Sequence, residues 1–132
     1  MVEKLFTREE AEALLPTLTP LLEELRDAKR AIDAHQSELT ALLAKTLGNG
    51  HRLEHERIAV LREQTRTLNR RVRELVQTVT LHGCEIKDLE AGLIDFRCQR
   101  EGRVVYLCWR LGEGRIDFWH DLDTGFAGRQ PL

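Results

Sequence analysis

The sequence predicts an α+β fold: a long antiparallel two-helix hairpin, coiled-coil-like, followed by a three-stranded antiparallel β-meander. Three observations carry this. Residues 7–82 hold no aromatic residue and are rich in Leu, Glu, Arg and Ala, whereas six of the seven aromatics (Phe96, Tyr106, Trp109, Phe118, Trp119, Phe126) follow residue 95. Apolar positions recur by threes and fours in the first part and alternate in the second. Six of the nine glycines fall after residue 90, where turns must separate strands.

The first helix opens with a capping box, Thr7-x-x-Glu10, behind the apolar pair Leu5-Phe6. Pro16 and Pro20 interrupt its first turns, so it either kinks there or breaks, with Thr19 capping a new helix. Leu18, Leu21, Leu25, Ala28, Ile32, His35, Leu39 and Leu42 then form a heptad seam, widened by Leu15, Leu22 and Leu43. Gly48-Asn49-Gly50 is a stop and turn. Ile58, Leu61, Thr65, Leu68, Val72, Leu75 and Val79 repeat the seam in a second helix that ends before Gly83. The short connection predicts an antiparallel pair. Residues 7–47 carry eight acids and five bases, and residues 51–82 four acids and seven arginines, so opposite charges flank the seam.

Residues 93–98, 103–110 and 116–121 alternate as strands, with Glu101-Gly102 and Gly112-Glu113-Gly114 as turns. A two-residue turn at 101–102 sets Cys98 opposite Val105, Phe96 opposite Leu107, and Ile94 opposite Trp109. These six make an apolar face, which Ile116, Phe118 and His120 are expected to continue. The other face is expected to carry Asp95, Arg97, Tyr106, Cys108, Arg110, Asp117, Trp119 and Asp121. The apolar face should lie on the helices, and the tail, a partner chain or a ligand should cover the polar one. The whole, 1–132, is expected to be one domain, with the hairpin over 7–82 and the meander and tail over 83–132.

Composition narrows function by exclusion. The 132 residues carry a formal net charge of −2, 42% are apolar, and no uncharged stretch is long enough to span a bilayer. The opening MVEKLFTREE lacks the apolar core of a secretory signal, and three cysteines without CxxC spacing (Cys84, Cys98, Cys108) fit free thiols, so a cytoplasmic setting is expected. No P-loop, Rossmann glycine pattern or GxSxG elbow is present, and Ser37 is the only serine.

Four patterns hold chemical potential. His51-x-x-Glu54-His55 matches an inverted zincin motif, though a hairpin tip offers neither a third ligand nor a cleft. In the meander, His120 is expected in a row with Cys98 and Val105, and Cys108 with Asp95 and either Asp117 or Trp119. Thiol, imidazole and carboxylate are ligands of first-row metals, yet each is also common as an ordinary core group. Arg97, Arg110 and Arg129 with Tyr106 and Trp119 form a candidate clamp for an anion. Against it stands internal pairing, Arg110 with Asp117 and Arg129 holding the tail. Arg62, Arg66, Arg70 and Arg73 make a basic stripe, but the acidic first helix and the negative total charge argue against nucleic acid.

The blocks GLIDF (92–96), GRVVYLCWRLGE (102–113) and FWHDLDTGFAGRQPL (118–132), with FTREEAEALLP (6–16), are identified as resembling an uncharacterised bacterial family, domain of unknown function 2203, some members of which are labelled division-initiation proteins. The resemblance covers nearly the whole chain. It implies that Asp95, Cys108, Trp109, Arg110, Glu113, Trp119, His120, Gly125, Arg129 and Gln130 belong to the family motif, with Cys84 and Cys98 outside it, and it implies no activity. The expected function is a self-associating interaction or regulatory module without catalysis, a homodimer through the hairpin with a further protein partner allowed. The alternative is a small-ligand (anion) or metal-binding protein using the polar face, around Asp95, Arg97, Tyr106, Cys108, Arg110, Glu113, Trp119, His120, Arg129 and Gln130. No cofactor is specified; a divalent metal is the lesser alternative.

Overall fold

The computed structural model describes residues 4–49 and 52–132. Two helices, α1 (Arg8–Asn49) and α2 (Arg52–Leu81), precede β1 (Glu85–Asp88), β2 (Leu93–Arg100), β3 (Arg103–Arg110), β4 (Phe118–His120) and β5 (Gln130–Pro131). The fold is α+β, a helical hairpin followed by an antiparallel sheet in the order β1-β2-β3-β4-β5. Among the described residues, no helix is long and apolar enough to cross a membrane.

The capping box forms as the sequence predicts. Thr7 N–H donates to Glu10 Oε1 at 2.9 Å, and Glu10 N–H donates to Thr7 Oγ1 at 3.1 Å. The helix runs unbroken through Pro16 and Pro20. Both rings are exposed, so the carbonyls they orphan four residues earlier lie on the wet side, where water can serve them.

The chain divides into two compact units, residues 1–26 with 75–132, and residues 27–74. The second is purely helical. Ala28, Ile32, Ile58 and Leu61 are buried there, Leu39, Leu42, Thr65, Leu68 and Val72 are half-buried, and Arg57 makes a bidentate pair with Glu38 at 2.7 and 3.0 Å. Gly50 and His51, hence part of the expected turn and of the His51-x-x-Glu54-His55 motif, lie outside the described residues.

The first unit holds the sheet. Its core gathers Phe6, Leu18, Leu22, Leu25, Leu75, Val79, Ile94, Phe96, Val105, Leu107, Trp109 and Ile116. Phe6 meets Phe96 edge-on at 5.1 Å between ring centroids, and Phe6 N–H donates to the Arg97 carbonyl at 2.7 Å, which fastens the helix entry to the sheet. Gly83 leaves α2 with φ of +100°, and a Cβ there would stand 2.9 Å from the Phe6 ring.

The β2–β3 register is the expected one: Cys98 faces Val105, Phe96 faces Leu107 and Ile94 faces Trp109. Glu101 and Gly102 both have positive φ, 51° and 79°, as a two-residue hairpin turn requires.

The third strand departs from expectation by one residue. Tyr106 pairs with His120, Leu107 with Trp119, and Cys108 with Phe118. His120 and Phe118 therefore share the face of Asp95, Tyr106 and Cys108, and Trp119 shares that of Phe96 and Leu107. The cause lies in residues 111–117. They are not a tight turn on Gly112-Glu113 but a longer connection that drops Ile116 into the core, its N–H donating to Glu12 Oε1 at 3.1 Å. One residue of slip exchanges the two faces. The sheet also has five strands rather than three: β1 adds one edge through a bulged register at Ile86/Asp88, and β5 adds the other.

Candidate functional site: a buried carboxylate, thiol and imidazole

Asp95 on β2, Cys108 on β3 and His120 on β4 converge on the polar face. Their ligand atoms all lie within 4.8 Å of one another, and each residue is buried, Asp95 to 1% and His120 to 2% exposure. The slipped register creates this trio, since Asp95 faces Cys108 directly and His120 is brought alongside.

Chemistry fixes the histidine tautomer. His120 Nδ1 lies 2.7 Å from the Asp121 carbonyl, which can only accept, so Nδ1 carries a proton. Nε2 lies 3.0 Å from Asp95 Oδ2. One proton is thus shared between imidazole and carboxylate. Asp95 Oδ1 is buried with no hydrogen-bond partner. Burial raises the Asp95 carboxyl above its ordinary value, against the pull of His120. Burial first, and then the neighbouring Asp95 carboxylate, push the Cys108 thiol up to about 12, with Arg129 acting in the opposite sense. A thiol so held is protonated at neutral pH and is no nucleophile.

The C-terminal tail covers this face. Arg129 Nη2 donates to Glu113 Oε1 at 2.6 Å and to the Cys108 carbonyl at 3.3 Å, and its guanidinium lies over the Phe118 and Phe126 rings at 4.2 and 4.6 Å. Leu132 N–H donates to the Asp117 carbonyl at 2.9 Å. A Cβ on Gly128 would stand 2.5 Å from Thr124 Cβ, so this turn of the tail needs glycine. Beneath the tail lies a cavity of about 260 Å³ floored by Asp95, Tyr106 and His120.

The remaining sequence-selected residues do not converge on a clamp. Arg97 Nε donates to Glu85 Oε2 at 3.0 Å and its guanidinium lies over Tyr106. Arg110 is exposed above Phe126 and does not pair with Asp117, which takes Arg8 and Arg115 instead at 3.0 and 3.2 Å. Trp119 lies on the opposite face beneath Arg100 and Arg103, and Gln130 is exposed on β5. The internal pairing foreseen for Arg129 is present, with Glu113 as its partner. Cys98 is apart from His120. Among the described residues, Glu54 and His55 join no cluster of three potential ligands. Sequence reasoning missed Glu85 and Lys87 of β1, whose signal is the alternation Glu85-Ile86-Lys87 directly after the helix-ending Gly83.

Fold and site together define a class: α+β proteins in which a helical hairpin precedes an antiparallel sheet that buries a carboxylate–thiol–imidazole trio. Residues 4–132 match the family model described as an uncharacterized conserved protein, DUF2203, and the chain belongs to that family. No curated protein and no solved structure matches it.

Proposed function

We propose that this protein binds one divalent transition metal of the zinc type at Asp95, Cys108 and His120. The observation that supports this most directly is the buried trio itself, whose ligand atoms lie within 4.8 Å of one another. Oxygen, sulfur and nitrogen donors together suit Zn²⁺ and its neighbours rather than Mg²⁺ or Ca²⁺. Ligating histidines ordinarily donate their other ring N–H to a carbonyl or carboxylate, and the Asp121 carbonyl already holds His120 so. Two ligand atoms about 2 Å from one ion at a tetrahedral angle stand roughly 3.4 Å apart, so the 3.0 Å Nε2–Oδ2 pair needs only slight opening. The ion replaces the shared proton and the thiol proton. Carboxylate, thiolate, neutral imidazole and M²⁺ then sum to zero charge, which relieves the burial of Asp95. Free thiols suit a reducing, cytoplasmic setting.

Dialysis of the full chain against Zn²⁺, followed by elemental analysis, is expected to give one equivalent per chain, lost in Cys108→Ser and in His120→Gln. Substoichiometric zinc in the wild type, or full occupancy in both variants, overturns the proposal.

A second reading, self-association as a regulatory module without catalysis, draws support from apolar side chains left in water between residues 27 and 74. Leu47 is 90% and Leu53 77% exposed. A homodimer through these helices predicts a sedimentation coefficient that rises with concentration; a concentration-independent monomer refutes it.

A further inference from the structure

We infer that Asp123 of the C-terminal tail is the fourth ligand of this site, so that protein encloses the ion on every side and the tail closes down on it. The inference rests on the metal proposal above. The trio supplies three donors. A tetrahedral ion takes a fourth, which is another side chain in a structural zinc site and water in a catalytic one.

The tail carries Asp123 on a turn built from the trio's own support. The Asp121 carbonyl that holds His120 Nδ1 at 2.7 Å also accepts from the Thr124 N–H and from Thr124 Oγ1, both at 3.3 Å. This turn sets Asp123 three positions after the ligating imidazole and on the wall of the cavity that Asp95 and His120 floor. The other side-chain donors lining that cavity are engaged. The Tyr106 hydroxyl donates to Glu85 Oε1 at 3.0 Å, Lys87 Nζ donates to the same oxygen at 3.1 Å, and the Thr124 hydroxyl is held by Asp121. Among the described residues Asp123 makes no ion pair. At about 260 Å³ the space falls below the ordinary range of small-molecule pockets, roughly 300–1,000 Å³, and suits an inward-turning side chain better than a separate ligand. Asp123 stands outside the group whose donors lie within 4.8 Å, so ligation has to draw its carboxylate, and the turn that bears it, onto the ion. The loaded centre then carries a charge of −1, which water at the exposed rim still solvates.

The test uses the full chain loaded with Co²⁺, whose visible bands report coordination, titrated with imidazole, a neutral ligand small enough for an open position. The wild-type bands are expected to stay in place, and those of Asp123→Ala to shift saturably as imidazole takes the position the carboxylate has left. In competition with a chelating dye, Asp123→Ala is expected to hold Zn²⁺ at least roughly tenfold more weakly, since loss of an outer-shell partner alone costs that much. Because Asp123 is exposed, the substitution leaves the fold intact. Wild-type bands that shift with imidazole, or an Asp123→Ala variant that ignores imidazole or binds zinc as tightly as the wild type, overturn the fourth ligand and leave the trio's metal site standing. Failure of the wild type to acquire cobalt bands at all overturns the metal site and, with it, this inference.

Discussion

Asp95→Asn separates a metal ligand from a structural partner. The amide keeps the carboxyl's shape in a site that is 1% exposed. Without metal the substitution is mild. Burial raises the Asp95 carboxyl, and an acid raised on folding stabilises while protonated and loses that contribution as pH rises through its folded value. At pH 7 the native carboxylate is therefore a cost that a neutral amide removes. The amide can also donate to His120 Nε2, which the Asp121 carbonyl leaves as the acceptor. The metal-free variant is expected within about 1 kcal/mol of the wild type. With zinc at a hundred times its Kd, the wild type gains about 2.7 kcal/mol, or roughly 10 °C in thermal midpoint. Loss of an outer-shell partner already weakens metal sites about 10- to 100-fold, so loss of a direct ligand costs at least roughly that. The variant's gain at the same zinc concentration then falls to about 1.4 kcal/mol for a tenfold weakening and about 0.4 kcal/mol for a hundredfold one. Differential scanning fluorimetry with zinc and with chelator measures both. Equal zinc shifts in the two proteins, or none in the wild type, refute the reasoning.

Two further outcomes follow from packing and burial. Phe96→Ala removes a fully buried ring stacked edge-on against Phe6 and is expected to cost about 3–5 kcal/mol in urea unfolding; a cost below about 1 kcal/mol would mean that the sheet does not rest on that contact. Burial pushes the Cys84 thiol up to about 11, so its contribution is complete below the unfolded thiol value and drains as pH climbs through 11, on the order of 3 kcal/mol in all. Stability against pH from 8 to 11 should fall less steeply in Cys84→Ala, and parallel curves refute this.

The sequence spoke clearly wherever a short turn fixed a register. Glu101-Gly102 admits one two-residue hairpin, so the pairing of Phe96 with Leu107 could be read directly from it. The helical seams were legible for the same reason of strict period, down to the reciprocal hydrogen bonds of Thr7 and Glu10. The connection over residues 111–117 imposes no such constraint, and a shift of one residue there is invisible in the alternation of Ile116 to Asp121. That shift placed His120 in expectation beside Val105 and hid the trio, although Asp95 and Cys108 were already opposed. The edge strands were illegible for a different reason: Glu85–Asp88 and Gln130–Pro131 have too few apolar positions to show a period.

Drawing one donor from each of three successive strands makes the trio a proofreader of assembly. Asp95, Cys108 and His120 coincide only when both hairpins close in the native alignment, because sliding either one by a single position sends a donor to the far side of the sheet. An ion bound there would serve the experimenter as a fidelity gauge, lighting up for correctly threaded chains and staying dark for misaligned ones whose helix content is the same.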